Sequence, residues 1–264
     1  MATKKSTKKA TKGGKIRKVF RIFFKTILIL FILSILMPIL YRWVNPPITW
    51  LMISRKATHG YEIKKEWKDL EEISKYMPNC AVAAEDNNFL GHRGFDWGAI
   101  QKAIDEREGG RKRGASTISQ QTAKNVFLWP KQSWLRKGAE VYFTFLIETF
   151  WSKERIMEVY LNVIEMGQGV YGAEAAAQHY FKTSAKKLSL NQSALITAAY
   201  PNPIERNPGK PSAYLKRRAN KIADLTHKIG VVKFDKESVE KARERYKKRE
   251  TKRRDKIDGK ILDL

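Results

Sequence analysis

The chain has 264 residues, 42% of them hydrophobic, and a formal net charge of +25. That size admits one substantial domain with a short appendage, and that charge calls for an anionic partner: nucleic acid, a membrane surface or a phosphate-bearing substrate. The single cysteine, Cys80, excludes an internal disulfide and a cysteine-rich metal site, and reads as a small buried hydrophobe.

Residues 1–18 carry many lysines, no acid and little to bury, and read as a disordered basic cytoplasmic tail. Between Lys25 and Arg42 no residue is charged, and Val19, Phe20, Ile22, Phe23 and Phe24 extend that run toward the roughly 20 residues a bilayer core needs. Arg21 and Lys25 can snorkel to headgroups, and Tyr41 and Trp43 suit the opposite interface. A cleaved signal peptide fits less well, since Met37-Pro38-Ile39-Leu40 offers no small-residue cleavage site. The expectation is a single-pass anchor over 19–44, its N-terminus inside and the rest of the chain exported.

Asn45-Pro46-Pro47 opens a linker over 45–60, followed by the main domain over 61–215. Ile63, Trp67, Leu70 and Ile73 recur at helical steps, which predicts an amphipathic helix from Glu62 to Tyr76, ended by Met77-Pro78-Asn79. Cys80 to Asn88 reads as a buried helix carrying Glu85 inward. Further helices are expected over Trp97–Glu108, Ser116–Val126 (capped by Ser116 or Thr117), Ser133–Trp151 and Lys153–Asn162 (capped by Ser152). Gly109 to Gly114 is a basic loop, and Gly167, Gly169 and Gly172 mark a turn. Helices from Glu174 to Phe181 and from Leu190 to Tyr200 follow, then a basic helical extension over 216–264. No alternating strands stand out, so the fold class is mainly α.

The densest chemistry lies between Glu85 and Asn125. A Glu-Asp pair in an alanine-rich context precedes Ser116, Thr117, Ser119, Gln120, Gln121 and Thr122, then Lys124 and Asn125. So much uncharged hydrogen-bonding capacity beside a carboxylate and a lysine is the chemistry of sugars and phosphates. Taken alone, each residue also has a structural reading as a cap, a helix surface or a solvated basic face.

In order along the chain, Glu85, Asp86, Phe89, His92 and Gly94 resemble the E-D-x-x-F-x-x-H-x-G motif of peptidoglycan glycosyltransferases. Gly114, Ser116, Thr117, Gln120, Gln121, Lys124 and Asn125 are similar to that family's G-x-S-T-x-x-Q-Q-x-x-K-N, and Arg136, Lys137 and Glu140 to its R-K-x-x-E. Ile156, Glu158, Leu161, Asn162 and Gly167 resemble a fourth motif, and Tyr171-Gly172, Ala176-Ala177 and Tyr180-Phe181 a fifth. The resemblance spans Ala81 to Pro203, about half of the chain. It departs from the family where Lys131-Gln132 replaces a frequent arginine, and at Met166 before Gly167, where an aromatic is common.

The resemblance implies a lysozyme-like, two-lobed helical domain behind one N-terminal transmembrane helix. Its activity would be glycosyl transfer: lipid II and a growing lipid-linked glycan strand joined by inverting transfer to the acceptor GlcNAc 4-hydroxyl, with release of polyprenyl pyrophosphate. It implies Glu85 and Glu140 as catalytic carboxylates, with Lys124, Arg136, Lys137, Ser116, Thr117, Gln120, Gln121, Asn125 and Asp86 binding substrate. His92, Asn162 and Tyr180 are expected to be structural. No cofactor is required, with Mg or Mn as an optional divalent cation and no metal site in the chain. Expected partners are the two lipid-linked substrates, membrane lipids and other cell-wall synthesis or division proteins, with no nucleic acid. The implied location is the bacterial plasma (inner) membrane, with the catalytic domain on its outer, periplasmic face. A wall-cleaving lysozyme or lytic transglycosylase, and a nucleic-acid-binding protein, are the competing readings.

Overall fold

The computed structural model describes residues 12–110 and 114–262, with side chains over 17–110 and 114–255. Most of the basic tail, and Arg111, Lys112 and Arg113 of the basic loop, therefore lie outside the described residues. The chain divides into two compact units, one ending at Trp43 and one running from Val44 to Leu264.

The first unit is built on helix α1 (Lys12–Leu40). Its stretch Arg17–Leu40 is 24 residues long with a mean hydropathy of 2.5, long and apolar enough to cross a membrane. Pro38 sits in the last turn of α1, close to where the helix stops.

The second unit is helical with one small sheet. Helix α2 (Trp50–His59) occupies most of the segment expected to be a linker. Its ends are chemically defined: the Thr49 hydroxyl accepts the Met52 N–H, and Gly60 closes it in the left-handed conformation. The helix expected over Glu62–Tyr76 is absent. Lys64–Lys65 form strand β1 instead, and Leu70–Glu72 a single 3₁₀ turn. The sheet holds β1 parallel to β3 (Val170–Tyr171), which pairs antiparallel with β2 (Glu165–Gly167). A strand of two residues leaves no periodicity to read, and its partner lies about a hundred residues away in sequence.

Helix α3 (Tyr76–Glu85) begins where a stop was expected, because Pro78 occupies its first turn, where no N–H is needed. Helices α4 (Trp97–Glu108), α5 (Ile118–Phe127), α6 (Trp134–Phe150) and α7 (Lys153–Val163) lie close to their expected bounds. Asp96, Thr117, Ser133 and Ser152 cap them through side-chain oxygens. Then come α8 (Ala173–Phe181), α9 (Leu190–Ala199), α10 (Ala213–Ile229) and α11 (Lys236–Leu262).

Small side chains let α3, α9 and α10 approach closely. Cys80 and Ala83 of α3 meet Ala194, Ala198 and Ala199 of α9 and Ala219 and Ile222 of α10. Cys80 is fully buried and its thiol is pushed up to about 11 by desolvation, so it packs as a hydrophobe. On the other side, α5 packs on α6 and α7 around a buried ion pair. Lys153 Nζ lies 2.6 Å from Glu148 Oε1, and the Ser119 hydroxyl donates to the same carboxylate. The Lys153 ammonium also sits 4.6 Å from the centre of the Phe89 ring. Desolvation holds Lys153 below the ordinary lysine range, and Glu148 pulls it back up. Asn162 is scaffold: its amide accepts from the Lys68 N–H (2.9 Å) and donates to the Lys68 and Glu158 carbonyls (both 2.8 Å). Tyr180 likewise donates to the Met166 carbonyl at 3.0 Å.

Candidate active site

Helix α3 ends on Glu85, and the chain turns immediately through Asp86. Glu85 is half-buried and lines a cleft, although the helix was expected to be buried and to carry it inward. Its Oε2 accepts from Gln121 Nε2 at 2.9 Å, and Gln121 Oε1 in turn accepts from the Tyr160 hydroxyl at 3.2 Å. Burial pushes the Tyr160 phenol well above its usual range and the Glu85 carboxylate adds to that, so Tyr160 remains a proton donor to Gln121. This relay fixes the amide so that its NH₂ faces the carboxylate. Tyr160 was not among the expected site residues. It is a core aromatic on α7, and only the fold brings it to Gln121.

Asp86 does different work. His92 Nε2 lies 2.9 and 3.0 Å from its two oxygens, and Oδ2 also accepts the Ile118 N–H at 3.0 Å. The Gly94 N–H donates to His92 Nδ1 at 3.1 Å, so the ring proton sits on Nε2 and points at Asp86. Asp86 thus ties the end of α3 to the start of α5, with both oxygens engaged by the protein. Thr117 and Gln120 are also committed to the fold. They form a reciprocal capping box (3.0 and 3.1 Å), and the Thr117 hydroxyl donates to the Gly94 carbonyl at 2.7 Å. Among the expected substrate contacts, these three hold the site's shape, whereas Ser116 is exposed.

The second expected carboxylate, Glu140, is 3% exposed on α6. The helical steps of three and four residues bring it to Lys137 and to Arg136, whose Nη1 lies 3.3 Å from Oε2. Gln120 Nε2 approaches Oε1 at 3.4 Å. Lys124, on α5, faces this cluster with its ammonium outside any hydrogen bond among the described residues. Desolvation holds Lys124 below the ordinary lysine range; Glu140 and Glu85 raise it, Arg136 and Lys137 lower it.

These groups line two clefts. One, of about 600 Å³, contains Glu85, Asp86, Ser116 and Thr117 together with residues of α4 and α11. The other, of about 630 Å³, contains Ser116, Gln121, Lys124, Asn125, Arg136, Lys137 and Glu140. Ser116 lines both, and the Glu85–Gln121 hydrogen bond joins one cleft to the other. A carboxylate lining one cleft is thus joined, through Gln121, to a cleft lined by a cluster of cations. Helix α2 adds Ser54, Arg55, Thr58 and His59 to the cationic cleft. Arg55 Nη2 is 3.1 Å from Glu165 Oε2. Reading 45–60 as a linker concealed this contribution. Among the described residues no three His, Cys, Asp or Glu side chains gather as a metal site.

The chain is similar to known proteins over most of its length. Residues 53–227 match the Transglycosylase family model. A biosynthetic peptidoglycan transglycosylase of Bacteroides thetaiotaomicron is 50% identical over 243 residues, covering 89% of this chain and 97% of that protein. Proteins of the same description from Caulobacter vibrioides (50% identical, 83% of this chain and 96% of theirs) and Shewanella oneidensis (44%, 84% and 97%) are similarly close. The match takes in most of α2 and the motif residues from Glu85 to Glu140, and the chain belongs to the transglycosylase family.

Proposed function

We propose that the chain polymerises lipid II into peptidoglycan glycan strands, as a glycosyltransferase with Glu85 as general base. The observation that carries this is the junction at Ser116, where a cleft headed by a carboxylate opens into one lined by Lys124, Arg136 and Lys137. The acceptor's GlcNAc 4-hydroxyl gives its proton to Glu85, and its oxygen attacks the anomeric carbon of the donor MurNAc. The bond from that carbon to the pyrophosphate oxygen breaks, and polyprenyl pyrophosphate leaves with the electron pair. Attack from the opposite face inverts the centre to a β-1,4 bond.

Pyrophosphate leaves readily once its charge is held, so the donor cleft needs cations more than an acid. Lys124 supplies a point charge and Arg136 a planar fork. Glu140, engaged by Arg136 and Lys137, acts by aiming them. No cofactor is required; an optional divalent Mg or Mn ion would come in with the pyrophosphate, Glu140 being engaged by Arg136 and Lys137. A glycosidase would instead require an acid to protonate a poor alkoxide leaving group. The N-terminal helix suits a membrane anchor that keeps the enzyme with its lipid-linked substrates at raised effective concentration. In that arrangement the basic leader stays cytoplasmic and the catalytic unit faces outward across the plasma membrane.

The test is incubation of the full-length chain in detergent with lipid II. Glycan polymer and stoichiometric polyprenyl pyrophosphate are expected. Fragments released from finished cell wall, without polymer, would overturn the reading in favour of a lytic enzyme.

Lys124 gives a second test through pH. Its folded pKa lies below the ordinary lysine value, so the cation is lost at lower pH than a solvent-exposed lysine would lose it. The alkaline limb of kcat/KM, which reports the free enzyme, should fall correspondingly early. Lys124→Arg, which stays charged, should move that limb upward while lowering the plateau rate. An alkaline limb unchanged in this variant would remove Lys124 from the donor site.

A further inference from the structure

Helix α11 lies beyond the family match, which ends at residue 227, yet it forms one side of the Glu85 cleft. Sequence suggests only a solvated, basic, helical extension. The structure shows a helix seated on the domain along one stripe. Val239, Ala242, Arg243, Tyr246, Glu250 and Arg253 are half-buried at steps of three and four residues, while most residues between them are exposed.

Two glycines receive it. A Cβ built on Gly91 would lie 2.7 Å from Tyr246 Cβ and 2.9 Å from the Ala242 carbonyl oxygen. One built on Gly98 would lie 2.7 Å from Arg253 Nη1 and 2.8 Å from Glu250 Oε1. Neither glycine has a positive φ; at Gly91 the backbone and Cβ of α11 demand the close approach, whereas at Gly98 the crowding atoms are mobile side-chain ends.

Polar contacts then lock α11 to the loop that follows the general base. The Tyr246 hydroxyl accepts the Trp97 N–H at 3.0 Å, satisfying a free donor at the start of α4, and lies 3.3 Å from Asp96 Oδ1. Its ring meets His92 edge-on at 6.0 Å between centres. Arg249 Nη2 donates to Asn88 Oδ1 at 2.5 Å, and Asn88 Nδ2 donates to Asp96 Oδ2 at 2.7 Å.

The seat places two guanidiniums, Arg249 and Arg253, on the border of the cleft headed by Glu85. Asn88 takes one of the five donors of Arg249, and Arg253 reaches Glu250 at 3.5 Å. The acidic groups lining the cleft each have a partner: Glu85 has Gln121, Asp86 has His92 and Ile118, Asp96 has Asn88 and the Ala99 N–H, Asp105 has Gln101, and Glu250 has Arg253. A planar fork with donors to spare, on the border of a ligand-sized cleft, matches a phosphate or carboxylate.

We propose that α11 is an acceptor-recognition element, its Arg249 and Arg253 holding an anionic group of the incoming substrate while the sugar hydroxyl sits at Glu85. This rests on the assignment of the Glu85 cleft to the acceptor. The anionic group is a phosphate or a stem-peptide carboxylate, and both occur on lipid II.

The test compares the full-length chain with the double variant Arg249→Ala/Arg253→Ala and the double variant Arg249→Lys/Arg253→Lys, all in detergent. The alanine variant should raise KM for lipid II about tenfold or more, the loss of one to two charge-assisted contacts, with kcat within about twofold. The thermal midpoint should move only slightly, since Tyr246 still seats α11 when the Asn88 contact is lost, and the lysine variant should recover most of the loss in KM. Repeating the series on lipid II with an amidated stem peptide separates the sources: a defect that persists assigns the phosphate, and one that vanishes assigns the carboxylate. An unchanged KM in the alanine variant would overturn the proposal, as would a fall in kcat and thermal midpoint together without lysine rescue. Failure of the unmodified chain to polymerise lipid II would instead overturn the underlying reading of the cleft.

Discussion

Glu85→Gln is expected to lower glycan polymerisation by roughly 10²- to 10⁴-fold, the usual contribution of a positioned general base. The thermal midpoint should not move. The glutamine keeps the side chain's size and can still accept a hydrogen bond from Gln121, whose amide Nε2 lies 2.9 Å from Glu85 Oε2. What it lacks is an oxygen that takes a proton. Binding of lipid II should survive, so kcat should carry the loss and KM should change little. Gln121→Ala offers a graded control, since it frees the carboxylate's orientation without removing it, and should cost less than the Glu85 variant. Polymerisation by Glu85→Gln at the unmodified rate would remove the general base from the proposed mechanism.

The largest effect on stability is expected at Glu148. The Glu148 and Lys153 side chains are 6% and 2% exposed, and the Ser119 hydroxyl donates to the same Glu148 oxygen as Lys153. Glu148→Ala would strand the Lys153 ammonium beside Phe89 and should cost about 3–5 kcal/mol, measured by denaturant unfolding in detergent. Replacing both partners, as Glu148→Leu with Lys153→Met, should recover most of that loss, because neither charge is then desolvated. The sign of the pH effect follows from burial. A lysine whose folded pKa lies below its unfolded value binds fewer protons when folded. The single variant should therefore gain stability as pH rises from that depressed value toward 10.5. A loss below about 1 kcal/mol in Glu148→Ala would show that this pair is weak in its setting.

Local chemistry made much of this fold legible in the sequence. Ser152, and Thr117 as one of two candidates with Ser116, are hydroxyl caps ahead of periodic apolar runs, and each does cap the helix that follows it. What failed was decided at long range. Ile63, Trp67, Leu70 and Ile73 carry a helical period, yet Lys64 and Lys65 are held by Val170 and Tyr171, and no window around residue 64 contains that partner. Pro78 was taken as a stop when its missing N–H suits a start equally well. Helix α2 is framed by local signals, Thr49 and Gly60, but Pro46 and Pro47 just before it are equally the marks of a linker.

The site divides in the same way. Motif residues identified Glu85, Lys124, Arg136, Lys137 and Glu140, and the structure gathers them around two adjoining clefts. Of the expected substrate contacts, Asp86 and Thr117 spend their polar atoms on the fold, and Gln120 is shared between its cap and Glu140. Tyr160, Arg55 and the α11 arginines carry no local signature, because only tertiary packing brings them to the clefts.

The bridge from Asp86 to the Ile118 N–H has a consequence for motion. This carboxylate terminates one helix and anchors the first amide of another, so α3 and α5 cannot fray independently at their facing ends. Opening that would release Glu85 must also uncap the segment that carries Gln121 and Lys124. In amide hydrogen exchange, Ile118 and Gln120 should open with the same free energy as the C-terminal turn of α3, as one cooperative unit. The two halves of the reaction centre would thus be preserved, or lost, together.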